Sequence, residues 1–189
     1  MFHMQIKDSL DVLGEHITKN SPMITKVLDY LDISPKDSIL DIGTGNGIMA
    51  IHLAAFGLDV LTGEPKGDNW ADWETSAKKA GVREKITFRH FRGERIPFND
   101  SSFNFVFIYG SFHHFKKKYE VLKDVFRVLK PKGKLVIFEF TKKGISQIKK
   151  KTSNHPDFVD PCKYFGDIEF ALEKTIKNER FNIFILKKE

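Results

Sequence analysis

Asp41-Ile-Gly43-Thr-Gly45-Asn-Gly47 places a carboxylate at the head of three glycines spaced two apart. Glycines at that spacing let a backbone turn sharply and lie close against a ligand. A dinucleotide fingerprint would want glycine at 43, 45 and 48, and position 48 is isoleucine. A phosphate-binding P-loop would end in Gly-Lys-Ser/Thr, which is also missing. A carboxylate on the loop would repel a pyrophosphate and suit a ligand that lacks phosphates and carries positive charge. Glu64 ends the next apolar segment, where a carboxylate can hold the two hydroxyls of a ribose. Loop, carboxylate and ribose acid together describe a site for a ribonucleoside with a cationic amino-acid tail, S-adenosylmethionine.

A second set follows the apolar run Phe103–Tyr109: His113 and His114. Histidine titrates near neutrality, so either ring could take a proton or hold a substrate. The competing reading is that one of them caps a helix or packs under Phe112 and Phe115. Those two phenylalanines could also line an apolar acceptor pocket. His52 lies inside an apolar helical segment and reads as structural or exposed. His155 sits with Asp157 and Asp160 in a stretch that reads as flexible, and no metal site is expected. Trp70 and Trp73 could stack a base, but core packing explains them as well. Lys116–Lys118, Lys142, Lys143 and Lys149–Lys151 could track phosphates or could simply be solvated.

These residues need elements to hold them. Short β-branched segments alternate with longer helical ones at least four times, which implies a parallel sheet with helices on both faces. The strands are Ser38–Ile42, Leu58–Thr62 running on to Glu64, Ile86–Phe91, Phe103–Tyr109 and Lys134–Phe140. The helices are Ile48–Phe56, Asp68–Ala80 and Tyr119–Leu129. Residues 1–35 read as two helices, the second starting at Ser21-Pro22, a cap followed by proline. Residues 167–174 and 180–187 alternate strictly around a short linker and read as an antiparallel pair closing one edge. The run Lys142–Lys151 reads as a mobile solvated stretch. The fold class is therefore α/β: a Rossmann-like, seven-stranded, mostly parallel sheet with an antiparallel C-terminal strand pair.

The chain has 189 residues, which fits a single domain, with 1–35 as N-terminal helices over the acceptor, 36–140 as a cofactor-binding core and 141–189 as a closing segment. At 41% apolar residues it is not disordered. Its single cysteine, Cys162, excludes an internal disulfide and a four-cysteine zinc site. No segment approaches the roughly 20 apolar residues that span a bilayer, and the N-terminus does not read as a signal peptide. The expectation is a cytoplasmic protein. Charge is uneven: residues 1–100 carry 12 basic and 15 acidic side chains, residues 101–189 carry 19 and 10. If the second half's surplus is functional, the acceptor rather than the cofactor is anionic.

Several motifs are similar to those of the class I S-adenosylmethionine-dependent methyltransferases. Asp41-x-Gly43-x-Gly45-x-Gly47 resembles their first motif, and Glu64 falls at the usual offset for the ribose acid. Arg95-Ile-Pro97-Phe98-Asn-Asp-Ser-Ser-Phe103-Asn-Phe-Val resembles the block that leads into the fourth strand. Phe112-His113-His114 resembles the apolar-His-His that follows it. Phe126-Arg-Val-Leu-Lys-Pro-Lys-Gly-Lys-Leu-Val-Ile resembles the block that leads into the fifth strand. The resemblance runs from about residue 36 to 140 and is closest to the ubiquinone/menaquinone-biosynthesis group.

That resemblance implies roles. Gly43 and Gly45 would admit the amino-acid tail, with Gly47 completing the loop and Asp41 at that end. Glu64 would hold the ribose, Phe91-Arg92-Gly93 the adenine, and Tyr109-Gly110 would border the sulfonium. Three positions depart from the pattern. Arg92 stands where the family usually has an aspartate and cannot accept a hydrogen bond from adenine. Pro65 replaces a bulky apolar residue, and Asn104 replaces an aspartate. The leading expectation is a methyltransferase acting on a small molecule. An RNA methyltransferase and a non-catalytic cofactor- or protein-binding member are the alternatives. The Asn/Asp-Pro-Pro-Tyr/Phe acceptor motif is absent, since the chain has Tyr109-Gly-Ser-Phe there, which disfavours transfer to an exocyclic amine of a base.

Overall fold

The computed structural model describes residues 10–67 and 72–189. Seven strands form one sheet in the order β3-β2-β1-β4-β5-β7-β6. The chain divides into two compact units, residues 1–90 and 91–189. The mostly parallel architecture and the antiparallel terminal pair agree with the sequence reading.

In the first unit, α1 (Glu15–Thr18) and α2 (Ser21–Leu31) precede β1 (Ile39–Ile42). Helix α2 buries Ile24, Val27, Leu28 and Leu31, the spacing of one apolar stripe. It stops at Asp32, whose φ of 50° is left-handed. Helix α3 (Ile48–Ala55) follows β1 and is buried from Met49 through Ala54, as an all-round apolar helix must be. Strand β2 (Val60–Glu64) pairs in parallel with β1, and β3 (Ile86–His90) pairs in parallel with β2. Between them lies α4 (Trp73–Lys79), where Asp72 accepts from the Thr75 backbone N–H at 3.0 Å. The sequence places this helix's start at Asp68. Residues 68–71, with Trp70, lie outside the described residues, as do residues 1–9 of the expected N-terminal helices.

In the second unit, β4 (Phe103–Tyr109) pairs in parallel with β5 (Leu129–Phe140), and α5 (Lys118–Val128) connects them. Helix α5 buries Val121, Leu122, Val125 and Val128. Arg127 on α5 ties down the segment before β4. Its guanidinium donates to the carbonyls of Phe98 (2.7 Å) and Ile96 (2.9 Å) and pairs with Asp100 (2.9 Å) and Asp124 (2.6 Å). Strand β5 starts five residues earlier than Lys134. Phe103 pairs with Leu129 and Phe105 with Lys134, so Lys130–Gly133 bulge out between them with Lys132 at φ 64°.

Most of the lysine-rich run after β5 is not a solvated loop. Its residues 142–149, with three of the five lysines, form α6 (Lys142–Lys149), capped by Thr141, whose hydroxyl oxygen accepts from Gly144 N–H at 3.0 Å. The helix is held because Ile145 is buried while its lysines face outward. Strands β6 (Phe170–Lys177) and β7 (Phe181–Lys188) form the expected antiparallel pair. Strand β7 lies against β5 and is buried from Ile183 to Leu186, whereas β6 ends the strand order and is largely exposed. The β6–β7 pairing slips at Glu173, between Leu172 and Lys174. Among the described residues, no helix is long and apolar enough to cross a membrane.

Candidate active site

The first unit carries the glycine loop. Asp41 is the third residue of β1 and stands opposite Thr62 of β2 in the parallel register. The Thr62 hydroxyl donates to Asp41 Oδ2 at 2.8 Å and is 2.8 Å from the Thr44 hydroxyl. A threonine has one hydroxyl proton, so Thr44 donates to Thr62 and Thr62 to Asp41. The other oxygen, Asp41 Oδ1, is buried and has no hydrogen-bond partner among the described residues. Glu64 lies two residues beyond Thr62, on the same face of the strand, and its Oε1 accepts from Gly45 N–H at 2.7 Å.

The electrostatics follow from this geometry. Burial pushes the Asp41 carboxyl up to about 7, against the Thr62 hydrogen bond that lowers it, and the nearby Glu64 charge raises it further. Among the described residues, no cationic side chain pairs with Asp41. A cation beside Oδ1 would partner the unpaired oxygen and lower both carboxylates' energy. The loop leaves room for one. Gly45 has φ 49°, and a Cβ built there would meet, among the described residues, only the Gly43 carbonyl, at 4.0 Å. Gly47 (φ 76°) is glycine for another reason: a Cβ there would lie 2.8 Å from Trp73 Cβ. Gly43 (φ 95°) donates its N–H to Gly63 O at 3.1 Å. These residues fit a cationic ribonucleoside, with carboxylates for the charge and the ribose and bare backbone between them. Thr44 and Thr62 were not singled out in the sequence. The period-two spacing of Thr62 and Glu64 on one strand was the available signal.

The second unit carries the histidines. After β4, Gly110 turns the chain at φ 58° into a short 3-10 helix, Phe112–His114. Phe112 and His113 are buried and His114 is exposed. Glu139 of β5, itself buried, accepts from His113 Nδ1 at 2.8 Å and from the His113 backbone N–H at 2.9 Å. It also accepts from Phe140 N–H at 2.6 Å. A carboxylate with three N–H partners is an acceptor only, so the His113 ring carries its proton on Nδ1 and presents Nε2. That Nε2 is 3.4 Å from Nε2 of His155, whose Nδ1 lies 3.1 Å from the Pro156 carbonyl. The His114 ring lies 4.2 Å from that of His113. Desolvation, with His113, His155 and Lys118 nearby, lowers the His114 pKa to about 4. His155 is lowered too, first by desolvation.

His155 joins His113 and His114, while Asp157 pairs with Lys149 and Asp160 caps Cys162 N–H at 3.1 Å. Glu139 was missed, although a single acid in an otherwise apolar strand signals a buried partner. His52 is buried and structural: its Nδ1 lies 2.6 Å from Ile48 O and its Nε2 2.7 Å from the Ser21 hydroxyl. Trp73 is core, stacked on Phe88 at 5.7 Å with Arg83 over its ring at 5.0 Å. Arg92 points its side chain to solvent and pairs with Glu94 at 3.7 Å. Gly93 lies close to Phe115 and Val121. Tyr109 packs on Phe138 and Phe181, at 5.4 and 5.3 Å.

Comparison with known proteins agrees with this arrangement. Residues 40–137 match a family described as a methyltransferase domain. A 27-O-demethylrifamycin SV methyltransferase of Amycolatopsis mediterranei is 32% identical over 141 residues, 74% of this chain and 51% of that protein. A demethylmenaquinone methyltransferase of Beutenbergia cavernae is 30% identical over 116 residues, 60% of this chain and 45% of that protein. The chain thus spans about half the length of these curated relatives. A solved SAM-dependent methyltransferase from Aquifex aeolicus has the same fold, with a TM-score of 0.67 over 91% of this chain and 93% of its own, at 17% identity. With the family match covering more than half of its residues, the chain belongs to the class I S-adenosylmethionine-dependent methyltransferases.

Proposed function

We propose that the chain transfers a methyl group from S-adenosylmethionine to a small molecule, acting as one functional domain. The observation that carries this reading is Asp41 Oδ1, buried and without a partner among the described residues, beside a second carboxylate and an open glycine loop. Asp41 would offset the positive charge of the ligand and Glu64 would hold its ribose, with Gly43 and Gly45 admitting the backbone contact and Gly47, held to glycine by Trp73, completing the loop. Arg92, Gly93 and Tyr109 are assigned to the adenine and sulfonium side on the family resemblance alone. The bound sulfonium supplies an activated methyl group. The protein's task is orientation and exclusion of water, and His113 and His114 are assigned to handle the acceptor. The small-molecule class is favoured by relatives named for a rifamycin and for demethylmenaquinone.

Calorimetry with S-adenosylmethionine and its demethylated product tests the cofactor. Binding that is at least tenfold weaker in Asp41→Ala and Glu64→Ala is expected. No binding by the folded chain at millimolar ligand would overturn the reading. Labelled methyl transfer into a metabolite extract, compared with total RNA, tests the acceptor class. Incorporation confined to RNA would reject a small-molecule acceptor.

A further inference from the structure

We propose that His113, His114 and His155 form a binding site for a divalent transition-metal ion of the zinc type, with Glu139 as the positioning residue behind it. This goes beyond methyl transfer and does not depend on it. The ligand nitrogens of the three rings lie within 4.8 Å of one another. Two of them are already placed as such an ion requires. Zinc–nitrogen bonds are about 2.0–2.1 Å and the coordination is tetrahedral, so two ligating nitrogens stand about 3.3 Å apart. Nε2 of His113 and Nε2 of His155 are 3.4 Å apart.

The protonation pattern points the same way. Nδ1 of His113 faces a carboxylate and Nδ1 of His155 faces a carbonyl, groups that only accept. Each ring therefore carries a proton on Nδ1. When both rings are neutral, two Nε2 lone pairs face each other across 3.4 Å, and that repulsion needs a cation between them. A shared proton is the rival occupant. The third nitrogen, from exposed His114, comes into range by side-chain rotation, and its exposed flank leaves a fourth position open to water or an acceptor atom. Three imidazoles without a carboxylate in contact favour zinc, cobalt, nickel or copper over magnesium or calcium. Glu139 supplies the outer hydrogen bond that fixes a ligating imidazole's tautomer and direction. It holds His113 from both the ring and the backbone.

The test is a titration of the chelator-treated full chain, without S-adenosylmethionine, using Co²⁺ as a spectroscopic probe and Zn²⁺ as its competitor. One equivalent of Co²⁺ is expected to give visible ligand-field bands of tetrahedral or five-coordinate intensity, displaced by one equivalent of Zn²⁺. His155→Ala, a change on a half-exposed segment that leaves the core intact, should weaken binding at least tenfold. Glu139→Gln should weaken it about 10- to 100-fold. His16→Ala, at an exposed histidine on α1, should leave binding unchanged. Absence of both Co²⁺ bands and Zn²⁺ heat from the folded chain would overturn the site and leave the shared proton. Binding retained in both His155→Ala and His113→Asn would overturn it by placing the ion elsewhere. Cofactor affinity measured on the same samples reports on the methyltransferase reading separately.

Discussion

Glu139 grips His113 from two directions, accepting from its ring Nδ1 at 2.8 Å and from its backbone N–H at 2.9 Å. One carboxylate thus fixes both where His113 stands in the chain and which way its ring faces. Glu139→Gln replaces one acceptor oxygen by a donor that meets another N–H. A loss of about 2–3 kcal/mol in folding stability is expected, because hydrogen bonds to charged groups are worth that much and a buried donor is left unmet. Urea unfolding checks it. Glu169→Gln, on the exposed surface, should stay within about 0.5 kcal/mol.

Asp41 should make the unliganded protein less stable as pH rises. Its carboxyl titrates near the ordinary carboxylate value when unfolded and at about 7 when folded. The folded state therefore holds the proton more tightly, and its advantage is complete below about pH 4 and lost as pH climbs through 7. Asp41→Asn removes that loss. At pH 8 the variant should be more stable than the parent by about 1–3 kcal/mol, the difference shrinking toward pH 4. Thermal unfolding of both proteins across that range measures it, and a constant difference would count against a buried, protonated Asp41.

A cationic ligand should expel that proton. If S-adenosylmethionine places positive charge beside Asp41, binding near pH 6.5 should release a substantial fraction of one proton, and affinity should rise between pH 6 and 8. Calorimetry in buffers of different ionisation enthalpy reads the release directly. The same buffer dependence should vanish in Asp41→Asn.

Arg127 should not tolerate lysine. It reaches two carbonyls and two carboxylates at once, which a planar five-donor group can do and a single ammonium cannot. Arg127→Lys and Arg127→Ala are both expected to cost about 1–3 kcal/mol. Proteolysis should nick the segment between Ile96 and Asp100 faster in both, and unchanged cleavage would show that the segment is held otherwise.

What the sequence made legible was local. Strand β4 matches its apolar run end to end, and the Asp41–Gly47 loop and Glu64 fall where their spacing put them. The errors have physical causes. Lys142–Lys151 reads as solvated because five lysines outvote two isoleucines in composition, whereas a threonine cap and the burial of Ile145 decide the structure. Strand β5 reaches back to Leu129 because its partner strand recruits residues that a Lys-Pro-Lys-Gly turn disguises. His155 and Glu139 lie 42 and 26 residues from His113, and no periodicity records an approach made through the fold.

The outer margin of the sheet has a consequence for self-association. Strand β6 is last in the order, so its outward backbone groups face no further described strand. An exposed strand margin can template the addition of another chain. Here the register slips at Glu173, and Lys174 and Lys177 stand exposed along the strand. An incoming strand would meet a broken hydrogen-bond ladder and desolvated lysines together. That combination guards the terminal hairpin against edge-to-edge aggregation, and removing its charges is where polymer growth would begin.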